Sequence, residues 1–120
     1  MKITPQPKFG LIVCFAWFPD HNNPNQPGEK YRPVLISDFN PSTKMFTIIY
    51  GTSQNVDRCG LGEFVVEMDG LTKPTKFCCA YQRQIPASEI YFCKDGKKHV
   101  LGALPHSHYV KYETALLEIK

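Results

Sequence analysis

A chain of 120 residues is the size of one domain around one hydrophobic core, so a second independently folding unit is not expected and the domain should span 1–120. Hydrophobic types make up 42% and charged types 21%, which is enough apolar material to fold and too much for a disordered tail. Fourteen Lys and Arg against 11 Asp and Glu give +3, a charge that permits a nucleic-acid partner without arguing for one.

Residues 1–9 carry two Lys and two Pro and no long apolar run, unlike a signal peptide. Gly10 opens Leu11-Ile12-Val13-Cys14-Phe15-Ala16-Trp17-Phe18, a β-branched and aromatic run that reads as a strand buried on both faces or across an interface. It is the longest apolar stretch and far short of the roughly 20 residues of a membrane helix, so the expectation is a soluble, cytoplasmic protein with no membrane partner. Asp20 to Lys30 has almost nothing to bury and follows Pro19, so it is a long exposed loop whose ordering depends on a partner. Val34 to Phe39 is the second strand, Asn40-Pro41-Ser42-Thr43 a turn, and Met45 to Tyr50 the third strand, together the clearest hairpin in the chain. A polar stretch from Gly51 to Gly62 leads to a fourth strand, Glu63 to Met68, and the Asp69-Gly70 turn. Thr75 to Tyr81 reads as a fifth strand and Glu89 to Cys93 as a short sixth. After Pro105 the period changes: Tyr109, Tyr112, Leu116 and Ile119 mark a helix of about three turns, with Ser107 as its N-cap and Ala115 on a face half in solvent. No βαβ spacing occurs, so the expected fold is mainly β, a small curled barrel of five to six antiparallel strands with a C-terminal helix.

The five cysteines, Cys14, Cys59, Cys78, Cys79 and Cys93, form no CxxC pair and read as small hydrophobes in a reducing compartment. His106 and His108 are two apart and do not face each other on a helix, so no metal and no cofactor is expected. Phosphate-loop, zinc-protease and serine-hydrolase motifs are absent.

Two polar points remain, both at strand ends. In Lys30-Tyr31-Arg32-Pro33, Pro33 biases Arg32 toward an extended backbone, so a planar fork suited to phosphate oxygens is delivered from a stiff point. The alternative is a surface arginine paired with Glu29 or Asp38. In Tyr50-Gly51-Thr52-Ser53-Gln54, Gly51 allows close approach of a ligand or another strand, and two hydroxyls and an amide follow; an ordinary turn has the same composition. An antiparallel hairpin puts its first and last residues at one end, which brings Arg32 and Thr52 together.

In this order and spacing the pieces resemble the PemK/MazF family of toxins from bacterial toxin–antitoxin modules. The residues concerned are Gly10-x-Ile12-Val13, then Gly28-x-Lys30-x-Arg32-Pro33-Val34-Leu35-Ile36-Ser37, and Tyr50-Gly51-Thr52-Ser53-Gln54. Gly62-Glu63-Phe64-Val65, Gly70-Leu71-Thr72-Lys73-Pro74-Thr75-Lys76-Phe77 and Leu101-Gly102-Ala103-Leu104 resemble one branch of it. The resemblance implies an SH3-like barrel acting as a homodimer. It also implies a metal-independent endoribonuclease that cuts single-stranded RNA by attack of a 2′-hydroxyl on the adjacent phosphate, and that a cognate antitoxin protein silences. Carried over, Arg32 contacts the scissile phosphate, Thr52 with Ser53 donates to or orients it, and Lys30, Gln54, Lys76, Arg83 and His21 bind RNA. The chain departs from the pattern after Thr75-Lys76-Phe77, where some relatives have an aspartate and this chain has Cys78, with no carboxylate until Glu89. A non-catalytic toxin of the same fold, acting on a protein such as a topoisomerase, is the alternative. The homodimer is also expected from the Leu11 to Phe18 strand and the helix stripe, which carry more apolar surface than one core comfortably covers.

Overall fold

The computed structural model describes residues 11–119; the expectations placed on Gly10 and the leading segment lie outside them. In chain order the elements are strands β1 (Ile12–Trp17), β2 (Tyr31–Asn40), β3 (Met45–Thr52), β4 (Glu63–Val66) and β5 (Thr75–Pro86). A short helix α1 (Glu89–Phe92), strands β6 (Cys93–Lys94), β7 (Lys97–Lys98) and β8 (Val100–Ala103), a 3-10 turn (His106–His108) and helix α2 (Tyr109–Glu118) complete the chain. Six strands make one antiparallel sheet in the order β4-β5-β3-β2-β1-β8, while β6 and β7 form a separate two-stranded ribbon. The sheet curls into a half-barrel, and α2 packs against β4 and β5.

Continuous apolar runs in β1, β2 and β3 are explained by cores on both faces of the sheet. Val13, Leu35, Ile49, Phe64, Val66 and Phe77 point to the face covered by α2. Cys14, Ala16, Val34, Ile36, Ile48 and Ile85 point to the opposite face, which Tyr91 and Phe92 of α1 cover. The first strand is buried at Val13, Cys14 and Ala16, one residue on one face and two on the other, while Ile12, Phe15 and Trp17 are half-buried.

The curl has a local cause in β5. Its far half, Gln82 to Pro86, pairs with Ile49 to Met45, but the ladder then jumps so that Tyr50 faces Cys78. Residues 79–81 are left over as a wide bulge, which bends the strand. Gln82 Nε2 donates to the Cys79 carbonyl at 2.7 Å across it.

Several local expectations are corrected, and one strand is added. Glu89 to Cys93 begins with a helical turn, because Glu89 and Ile90 face out while Tyr91 and Phe92 are buried, a two-out, two-in order that one turn satisfies and an alternating strand does not. Ser88 caps it, accepting from the Ile90 N–H at 3.4 Å. A further strand, β8, pairs with β1 across an irregular register and contains Gly102 at φ 126°, which hides it from an alternation reading. Ser107 does not cap α2; the chain enters through the 3-10 turn, and the Ser107 hydroxyl lies 3.3 Å from His108 Nδ1.

The α2 stripe of Tyr109, Tyr112 and Leu116 packs on the outer core as expected, but Ala115 is buried and not half in solvent. It faces Gly62 (φ 81°), where an added Cβ would stand 2.3 Å from Ile119 Cγ2, so small residues let helix and strand end approach. Among the described residues, no helix is long and apolar enough to cross a membrane.

Candidate functional site

The β2–β3 hairpin brings the two polar points together. Val34 stands opposite Tyr50, and continuing that antiparallel register two residues carries Arg32 to the level of Thr52. Period two then puts Arg32 on the same face as Val34 and Ile36, beside Tyr50. The Arg32 guanidinium lies 4.7 Å from the Tyr50 ring centre, and Nη1 donates to the Tyr50 hydroxyl at 2.8 Å. Pairing with Glu29 or Asp38 is not what occupies it: among the described residues the one ion pair is Lys76 with Glu63, and Arg32 makes no other hydrogen bond. Most of its five N–H donors are left for a ligand.

Those donors border a depression of about 340 Å3 lined by Lys30, Arg32, Tyr50, Thr52, Ser53 and Gln54. The half-buried Thr52 Oγ1 accepts from the Gln54 N–H at 3.1 Å, a turn that fixes the oxygen and leaves the hydroxyl proton free to donate. Gly51 serves packing and not ligand approach: an added Cβ would lie 2.4 Å from the Pro33 carbonyl oxygen and 2.8 Å from the Phe77 ring.

A second depression of about 200 Å3 adjoins the first and shares Lys30, Arg32 and Tyr50 with it; Phe18, Asp20, Glu29 and Tyr81 complete its wall. The Tyr50 and Tyr81 rings stack at 4.8 Å and 24°, and Phe18 meets both edge-on at 5.3 and 5.1 Å. The bulge in β5 supplies Tyr81 to this cluster, and Arg83, one turn of the pleat further, lies 4.9 Å from the Tyr81 ring. Two arginines thus flank a tyrosine pair. This is an aromatic and cationic platform of the kind that takes an unstacked base and its phosphates.

Of the residues expected to bind RNA, Lys30 and Gln54 line the first depression, and Arg83 joins through the tyrosines. His21 is exposed on the loop and lines neither depression. Lys76 is not brought to the site. Its ammonium is buried, donates to the carbonyls of Asn55 and Arg58 at 3.1 and 2.9 Å, and pairs with Glu63 at 3.3 Å, so it anchors the 53–62 loop from beneath. The Glu63 carboxyl is held below the usual carboxylate range, first by the Gly60 N–H and then by Lys76.

Cys78, where some members of the family it resembles carry an acid, sits opposite Glu63 in the ladder, and burial together with the Glu63 charge pushes its thiol up to about 11. A thiol so perturbed is neutral and accepts no proton near pH 7. All five cysteines are free; Cys14 and Cys79 are buried as expected, whereas Cys59 is exposed. Among the described residues, no three His, Cys, Asp or Glu side chains converge on a metal position. His106 instead stacks on Tyr109 at 4.8 Å.

The sequence reading missed Asp20, Glu29, Phe18 and Tyr81 as site residues. The first three had a usable signal: β1 and β2 are also a hairpin, with Trp17 opposite Tyr31, so residues flanking its loop must meet where Arg32 enters. Gly28 confirms the closeness, its N–H donating to the Trp17 carbonyl at 3.3 Å. No family model matches the chain, and no curated protein does.

Proposed function

We propose that the protein binds single-stranded RNA and cleaves it without a metal, as the toxin of a toxin–antitoxin pair of the PemK/MazF kind. The observation that carries this reading is the Arg32 guanidinium, fixed at one end by Tyr50 and otherwise unspent, facing the Thr52 hydroxyl across an open depression. In such a reaction the 2′-hydroxyl oxygen forms a bond to the adjacent phosphorus, the bond to the 5′-oxygen breaks, and a cyclic phosphate and a 5′-hydroxyl result. Arg32 gives charge-assisted hydrogen bonds that strengthen as the phosphorane oxygens gain charge, and Thr52 and Ser53 donate to or orient the same group. Lys30 and Gln54 hold the flanking backbone, and Arg83 adds positive charge at the edge of the platform.

The antitoxin and a second copy of the chain are its partners in this proposal. Exposed apolar residues that a second copy could cover include Val110 and Leu117 on α2, Leu61 before β4, Ile90 on α1 and Val100 on the edge strand β8. The large hydrophobic residues left exposed among the described ones are all aliphatic, which disfavours a non-catalytic toxin that needs an aromatic anchor for a protein target. Five free thiols suit the reducing cytoplasm.

The test is incubation of the purified protein, free of any partner, with single-stranded RNA in EDTA. Cleavage leaving cyclic phosphate ends, lost in a folded Arg32→Ala variant, is the expected result. No cleavage, or cleavage unchanged by that substitution, overturns the reading.

A further inference from the structure

The smaller depression beside Arg32 combines three features that a phosphate site alone does not need. Two carboxylates, Asp20 and Glu29, reach it from opposite ends of the β1–β2 loop, and neither makes an ion pair among the described residues. Two cations, Lys30 and Arg32, border it and also border the phosphate depression. Its wall is the stacked pair Tyr50 and Tyr81, and its volume of about 200 Å3 has room for one flat ring system. A phosphate would be repelled by the acids, so the ligand that fits is an uncharged planar group covalently continuous with a phosphate next door.

We propose that this depression reads a guanine base of the RNA adjoining the phosphate held at Arg32, an inference that rests on the RNA reading above. Guanine offers two neighbouring donors, N1–H and the N2 amino group, on its Watson–Crick edge, and two acceptors, O6 and N7, on the edge beside it. One carboxylate accepts both donors in parallel, as it does from an arginine fork, while a cation donates to O6 and N7. Adenine and cytosine each set an acceptor nitrogen beside their single amino group, and uracil sets two carbonyls around one N–H, so each turns a lone pair toward the carboxylates. Guanine alone presents two adjacent donors to a carboxylate and two adjacent acceptors to a cation. The charge set of the pocket, not its shape, is what discriminates.

The test uses short 2′-fluoro oligoribonucleotides, which lack the attacking hydroxyl and cannot be cleaved, so binding is read apart from turnover. Fluorescence anisotropy should show an oligomer with one guanosine binding on the order of tenfold more tightly than the same oligomer with adenosine, cytidine or uridine there. Inosine, which lacks only the N2 amino group, should fall between. In the paired variant Asp20→Asn, Glu29→Gln the ratio should collapse toward one; the ratio is the readout because removing two negative charges raises affinity for every RNA. Equal affinity for all four bases, or a guanosine preference that survives the paired variant, overturns the inference. So does a variant that loses cleavage of natural RNA at every sequence while keeping its base preference, since the acids would then act in the chemistry. Guanosine-dependent binding with no cleavage sinks the nuclease reading alone, and cleavage without base preference sinks this inference alone.

Discussion

Arg32 and Tyr50 act as a unit, and separating them is the sharpest test of the site. On the proposed nuclease reading, Arg32→Ala should remove the fork that meets the developing charge, at a cost of about 2–4 kcal/mol in transition-state stabilisation, or roughly 30- to 1000-fold in rate. It also removes the 2.8 Å bond to the Tyr50 hydroxyl and the contact over its ring. At this half-buried position that costs about 1–2 kcal/mol of folding stability, so urea melts must first show a folded variant. Tyr50→Phe keeps the ring and its stack on Tyr81 but frees one end of the guanidinium. The rate should then fall about 3- to 10-fold through kcat with KM little changed, as for any group that orients another. In the Arg32→Ala background the same substitution should do nothing, because there is no guanidinium left to orient. Arg32→Lys retains charge and ring contact and loses the fork, so it should resemble Arg32→Ala more than the unaltered protein. A folded Arg32→Ala protein with full cleavage, or a Tyr50→Phe effect that persists undiminished without Arg32, refutes the assignment.

Lys76→Ala should cost about 2–4 kcal/mol by urea unfolding and raise hydrogen exchange in residues 53–60, because two carbonyls and Glu63 lose a buried partner; unchanged stability with weaker RNA binding would return Lys76 to the interface. The folded Glu63 carboxyl titrates below its unfolded value, so its contribution is fully present above the ordinary carboxylate range and is lost as pH falls through the folded pKa. Stability should therefore drop on acidification through that window, and Glu63→Gln should flatten the drop in a pH series of melts. Gly51→Ala should destabilise by about 1–3 kcal/mol through its clash with the Pro33 carbonyl and Phe77, measured the same way; a neutral result would return Gly51 to a ligand-approach role.

The strands that carry the site were legible because their signals were local and mutually consistent. Pro33 stiffens the entry of β2, the Asn40 to Thr43 turn sets the hairpin, and antiparallel pairing alone then joins Arg32 to Thr52. What was not legible depends on irregularities that alternation cannot encode. The jump in β5 from Gln82 to Cys78 brings Tyr81 onto the face covered by α1, beside Tyr50, and no pattern in Thr75 to Pro86 announces a bulge of that size. Lys76 read as an available cation because its neighbours in sequence are unremarkable; the carbonyls that consume it come from 18 and 21 residues away.

The fate of Lys76 and the chemistry around Cys78 belong to one arrangement. In the first half of β5 the polar groups are turned to holding the 53–62 loop: Lys76 is spent on two carbonyls and Glu63, and the thiol of Cys78 stays protonated beside that same carboxylate. An acid at position 78 would set a second negative charge opposite Glu63 in the ladder and compete for Lys76. Cysteine there is thus compatible with the anchor in a way that an aspartate is not. Negative charge at the Arg32 end is supplied instead from the β1–β2 loop, by Asp20 and Glu29, whose backbone is tied down next to β1 by the Gly28 N–H. β5 thus fixes the floor of the neighbouring loop, while the exposed β1–β2 loop carries the two carboxylates that line the depression beside Arg32.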